Sequence, residues 1–161
     1  MTTPKPLHVR GWLLVVTAGA ILVLAGVAVA NSPATNIHLG QTSFGPFVAP
    51  RLQNGHQHPI YISTGDGRDK SHCFGSCSST LKPVTTFGTI NAWNGVRRKL
   101  LGAISRGHGV KQVTYNHHPL YTAPSDTPGT AGLDGCSLYG SDWYVIGRNG
   151  NPDERWTCNF Y

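Results

Sequence analysis

Residues 100–123 read LLGAISRGHGVKQVTYNHHPLYTA, and this stretch decides the fold class. Leu100 to Ser105 is a short apolar run, and Gly107-His108-Gly109 is a turn between runs of extended character. Val110 to Tyr115 follows, with Val113 and Tyr115 alternating against polar neighbours, which is the period of a half-buried strand. Asn116-His117-His118-Pro119 makes the next turn, since Asn accepts left-handed backbone angles and Pro ends a ladder. Leu120 to Ala123 is then the third strand of an expected meander. Asp142 to Gly147 supplies a fourth strand, closed by the turn dipeptide Asn149-Gly150. Pro124 to Gly140 is too rich in Gly, Pro, Asp and Ser to be regular.

Upstream, Gly and Pro recur every few residues and apolar runs stay short. A helical period shows only weakly, around Gly95–Ile104. The expected fold is all-β: a compact antiparallel sandwich or partly closed barrel, preceded by an N-terminal apolar helix. Residues 31–54 show little periodicity and are read as a linker that becomes a strand or edge-covering segment near Phe44 to Val48. Within residues 55–161 there is an internal repeat. His58-Pro59-Ile60-Tyr61 followed by Asp66 matches His118-Pro119-Leu120-Tyr121 followed by Asp126, at one constant offset and each behind a polar turn. This divides the domain into repeats 55–98 and 99–150, with a tail 151–161, the two copies related by a pseudo-twofold in one sheet system.

The pattern Ile60-Tyr61-x4-Asp66, Cys73-Phe74-Gly75-Ser76-Cys77, Gly102 to Tyr115, Pro119-Leu120-Tyr121-x4-Asp126, Pro128-Gly129-Thr130 and Trp143-Tyr144-Val145 resembles the bacterial "secreted repeat of unknown function" family, predicted lipoproteins with a Tyr-x4-Asp motif. The resemblance spans residues 55–150 and implies export, a repeated unit and a β fold rather than an activity. Family members carry Trp-Pro-Pro where Leu81-Lys82-Pro83 stands and Gly where His117 stands. They also commonly have a lipidated cysteine that this chain lacks, and Cys136 and Cys158 are additional to the pattern.

The start of the chain supports export. Trp12 to Ala30 contains no charged residue and follows Lys5, His8 and Arg10, the layout of a secretory signal, and Ala28-Val29-Ala30 has the small-x-small cleavage pattern. The stretch is also long enough to span a bilayer. Residues 1–30 are therefore read as a signal peptide or an uncleaved membrane anchor. In either case positive charge at the N-terminus places residues 31–161 outside the cytoplasmic membrane. The four cysteines, Cys73, Cys77, Cys136 and Cys158, all lie beyond this segment, and an even count in an oxidising compartment reads as two disulfides. Locality in sequence favours Cys73–Cys77 and Cys136–Cys158. Thirteen Lys+Arg against seven Asp+Glu give a net charge of +6. The only dense basic run, Arg97-Arg98-Lys99, has no interleaved aromatics, so no nucleic-acid partner is expected.

Candidate chemistry is sparse. His56, His58, His117 and His118 occupy matching turns of the two repeats, and convergence of the four imidazoles would suit copper or zinc. Tyr61/Asp66 and Tyr121/Asp126 are read as architectural, the rings packing in the core, the hydroxyls reaching loop groups and the carboxylates capping turns. Neither a Gly-x-Ser-x-Gly elbow nor a phosphate loop in a strand-to-helix setting is present, and no enzyme is expected. The leading reading is a non-catalytic envelope or cell-surface module without a cofactor, binding an envelope protein or cell-wall partner and touching the membrane through its N-terminal segment if that is uncleaved. The alternative is an extracytoplasmic copper- or zinc-binding or redox accessory protein.

Overall fold

The computed structural model describes residues 34–44, 47–152, 154 and 158. The expected N-terminal apolar helix and most of the tail lie outside the described residues. Among those described, no helix is long and apolar enough to cross a membrane. The elements in chain order are β1 (Thr35–Phe44), β2 (Phe47–Asn54), β3 (Tyr61–Ser63), α1 (Ser76–Thr80), β4 (Lys82–Pro83), β5 (Thr85–Thr86) and β6 (Ile90–Trp93). A 3-10 turn at Arg98–Leu100 follows, then β7 (Leu101–Gly107), β8 (Val110–Tyr115), β9 (His118–Pro119), β10 (Tyr121–Thr122), β11 (Cys136–Leu138) and β12 (Ser141–Val145). They form three sheets, ordered β2-β1-β6, β11-β12-β3-β10-β4 and β5-β8-β7, with β9 also on β8. The fold is mostly β and mostly antiparallel, and the described strands close no barrel.

The alternation in the central sheet explains why two apolar clusters form. Tyr61, Tyr121 and Val145 face one cluster, with Trp143, Leu81, Ala123 and the Cys73 and Cys77 side chains. Their chain neighbours Ile60, Ile62, Leu120 and Ile146 face the other, with Ile37, Leu52, Val113 and Tyr115. Side chains alternate across a strand, so one sheet with both faces covered produces two cores.

A pseudo-twofold runs through this sheet. Its centre is the antiparallel pair β3–β10, where Tyr61 stands opposite Tyr121. Around it, two three-way backbone junctions correspond bond for bond. In one, Ile60 N donates to Leu52 O (2.9 Å), Leu52 N to Ile146 O (2.8 Å) and Ile146 N to Ile60 O (3.4 Å). In the other, Leu120 N donates to Val113 O (3.0 Å), Val113 N to Val84 O (2.8 Å) and Val84 N to Leu120 O (2.9 Å). The hairpin β1–β2 therefore corresponds to β7–β8, β3 to β10, and the bridge between Gln53 and Pro59 to β9 on β8. The strand that completes each half comes from the other: Tyr61 pairs with Val145 of β12, and Tyr121 with Pro83 of β4.

This geometry corrects three expectations. Residues 35–44 and 47–54 are not a linker: they are two long strands, β1 and β2, paired antiparallel from Ile37–Asn54 to Phe44–Phe47. Buried polar Thr42, Arg51 and Gln53 interrupt the apolar alternation there, so the strand signal is lost. The first repeat consequently begins at β1, not at residue 55. Nor do the strands after β8 continue a simple meander. β9 stays on β8, but β10 leaves for the central sheet and β12 pairs with β3 and β11.

Candidate functional site

The repeat motif assembles by exchange. The Tyr61 hydroxyl donates to Asp126 Oδ2 (2.5 Å), and the Tyr121 hydroxyl donates to Asp66 Oδ2 (2.6 Å), so each tyrosine is bound by the aspartate of the other repeat. The second oxygen of each carboxylate accepts a backbone N–H six residues further on: Asp66 Oδ1 from His72 N (2.7 Å) and Asp126 Oδ1 from Gly132 N (3.0 Å). Each loop is thus wrapped around its own aspartate while that aspartate holds the opposite strand. Both tyrosines have zero exposure. Burial above all, then the negative charge and hydrogen bond of Asp126, pushes the Tyr61 phenol far above its ordinary value. Burial and the bond to Asp66 do the same to Tyr121. The two carboxyls are also raised, because burial outweighs the hydrogen bonds that favour their charged forms.

The surroundings of the two locks differ. Beside Tyr121, Ser71 Oγ lies 2.7 Å from the hydroxyl and accepts from Arg106 Nη1 (3.0 Å), which also donates to Gln112 Oε1 (2.6 Å). Arg106 Nη2 donates to Cys73 O (3.0 Å), and its guanidinium stacks 4.4 Å from the centre of the exposed Phe74 ring. Beside Tyr61, Leu133 N donates to the hydroxyl (3.3 Å) and Val145 N donates to Asp134 Oδ1 (2.8 Å). Ser71, Arg106 and Gln112 carry no pattern in the sequence. His72 and Gly132 keep the repeat offset, but they bond through backbone N–H and differ in residue type, so no residue pattern marks them.

Both disulfides pair cysteines local in sequence, Cys73 with Cys77 and Cys136 with Cys158, at Cα separations of 5.2 and 4.4 Å. The described chain has no free thiol. Cys73–Cys77 closes the loop that starts α1, and Cys136–Cys158 ties the tail to β11, where Cys158 N also donates to Gly135 O (3.1 Å).

The four histidines do not converge, which corrects the imidazole site expected from the matching turns. His56 and His58 sit in a turn and not on a strand, their amides both bonded to Asn54 Oδ1. His117 is held on the other copy's loop, with Nδ1 2.6 Å from Asp69 Oδ2 and Nε2 2.5 Å from Arg68 Nη2. His118 is half-buried, and burial followed by the neighbouring His117 lowers its pKa. Among the described residues no three of His, Cys, Asp and Glu come together as a metal site. The two turns differ by one residue in length, yet Gln57 and His117, at matching positions before the His-Pro step, are both left-handed at φ 64° and 69°. That conformation explains why Gly would suit the second position.

A small cleft of about 90 Å³ lies between the first disulfide and β12, lined by Ser63, Asp66, His72, Tyr139, Ser141 and Trp143. Its polar groups do not form a relay. His72 Nδ1 bonds Gly65 O (2.7 Å) and Ser63 Oγ accepts from Gly65 N (3.2 Å), so neither side chain meets the other or the Asp66 carboxylate. Its chemistry is that of a braced loop with two exposed aromatic rings nearby, Phe74 and Tyr139. In comparisons with known proteins, no family model, no curated protein and no solved structure matches this chain.

Proposed function

We propose that this chain is an exported protein whose β domain is a non-catalytic, partner-binding module of the cell envelope or surface, akin in design to the secreted-repeat family its motifs resemble. The observation that carries this reading is the reciprocal lock: Tyr61 to Asp126 and Tyr121 to Asp66. The groups best suited to proton transfer are buried and bound to one another in holding two half-domains together. Two disulfides are compatible with an oxidising compartment. A rigid scaffold of this kind presents strand edges and loops for contact, and Phe74, Phe87, Trp93 and Tyr139 are exposed on it.

The test is topology and redox state of the full chain in producing cells. Protease added to spheroplasts should digest residues 31–161, and thiol alkylation without reductant should label no cysteine. Protection from protease with four alkylated cysteines would overturn the proposal.

A further inference from the structure

β7 is the outer strand of its sheet, and among the described residues it pairs with β8 alone. Its twofold counterpart β1 is covered: β6 runs parallel along it, Thr35 to His38 opposite Ile90 to Trp93. One half of the domain thus shows what this edge accepts, an extended strand in parallel, and the other half leaves the place open. Along β7 there is a groove of about 440 Å³, lined by every residue from Lys99 to Ile104, with Thr114 and the Asp69–His117 pair beside it. The lining runs from the 3-10 turn at Lys99 and Leu100 along the first four residues of β7, Leu101 to Ile104. Gly102 stands opposite Thr114 in the ladder, and a Cβ there would lie 2.8 Å from Thr114 Oγ1. Arg97, Arg98 and Lys99 are exposed at its N-terminal end.

We infer that the β7 edge docks an extended, carboxylate-bearing segment of a partner protein, which adds as a strand parallel to β7 with its acidic residues against Arg97–Lys99. Unpaired N–H and C=O groups supply affinity along an edge, and the basic run supplies orientation. A second copy of the chain is the poorer occupant, because a net charge of +6 repels itself. The inference rests on the partner-binding reading and specifies where and how the partner binds.

The probe is a fluorescein-labelled peptide, Asp-Asp-Thr-Ile-Asn-Ala-Trp, built on the β6 sequence and titrated by anisotropy into the full chain in detergent. Saturable binding is expected, weakened at least about tenfold when alternate peptide nitrogens are methylated in one register and far less in the other. The pair R98E/K99E should weaken it by about tenfold, with circular dichroism confirming the fold. Absence of saturable binding, or equal loss in both methylation registers, would overturn the inference. So would a chain dimer that the peptide disperses, since it assigns the edge to a second copy. None of these outcomes touches the export and thiol measurements, so this inference and the broader reading fail separately.

Discussion

Alkaline unfolding probes the Tyr–Asp exchange most directly. Tyr61 and Tyr121 are fully buried against carboxylates, and both phenols are raised well above the usual value of about 10. A raised folded-state pKa means that the folded form holds its proton when the unfolded form has lost it. The stability is therefore fully present below about pH 10 and is lost as the pH climbs toward the raised values. Each such group contributes a slope of about 1.4 kcal/mol per pH unit, so the pair gives about 2.7. By pH 12 the loss is about 5 kcal/mol, comparable with the whole stability of many domains. Guanidinium unfolding followed by tryptophan fluorescence from pH 9 to 12, without thiols, measures that slope. Tyr61→Phe should remove about half of the tyrosine-dependent slope, and Y61F/Y121F should remove it. The variants also lose a charge-assisted hydrogen bond each, which lowers stability at pH 8 by about 1.5–3 kcal/mol but leaves the slope argument intact. Wild-type and doubly substituted chains with the same slope would refute the reasoning. Tyrosinate absorbance for all six tyrosines in a still-folded chain would do so too.

Asp66 and Asp126 are also raised, first by burial. Their contribution is thus fully present below the ordinary carboxylate range near pH 4 and is lost as the pH rises through the raised values. The wild-type urea midpoint should gain on D66N/D126N as the pH falls from 7 to 4.5, and a gap that narrows would contradict this. Replacing Cys136 and Cys158 by Ser should lower stability by about 3 kcal/mol, against about 2 for Cys73 and Cys77, because the longer loop constrains the unfolded chain more. The reverse order in denaturant midpoints would count against that account. Gly40→Ala should destabilise by about 1–3 kcal/mol, since its Cβ would fall 2.1 Å from Oε1 of buried Gln53, a side chain held in place by Nε2 donating to Gln41 O and Thr42 Oγ1. Gly55→Ala, with nothing nearer than 3.7 Å, is the control expected to stay near neutral in thermal melts.

Local features were readable because local physics writes them. Gly107-His108-Gly109 between two extended runs marked the β7–β8 hairpin, and locality in sequence favoured the cysteine pairing that the structure forms. The two His-Pro-apolar-Tyr…Asp segments announced two related units, and the structure adds the shared left-handed backbone at Gln57 and His117. The hairpin β1–β2 was not readable, because Thr42, Arg51 and Gln53 are polar yet buried and erase the alternation that marks a strand. Matching positions in two copies of a motif need not be neighbours, and the histidine turns are not. In the structure they are tied to separate loops, at Asn54 and at Asp69.

The partner of each tyrosine was decided by tertiary structure alone. Two copies of one motif offer each hydroxyl two identical carboxylates, its own repeat's and the other's, so the residue pattern is degenerate. What breaks the tie is topology. β3 and β10 pair antiparallel at the centre, the completing strands β4 and β12 cross between the halves, and each Asp is pinned by the amide six residues beyond it. Once the loop is closed around its aspartate, the free carboxylate oxygen meets the opposite copy's hydroxyl. Strand identity is a property of short windows of sequence, and that exchange is a property of the closed chain.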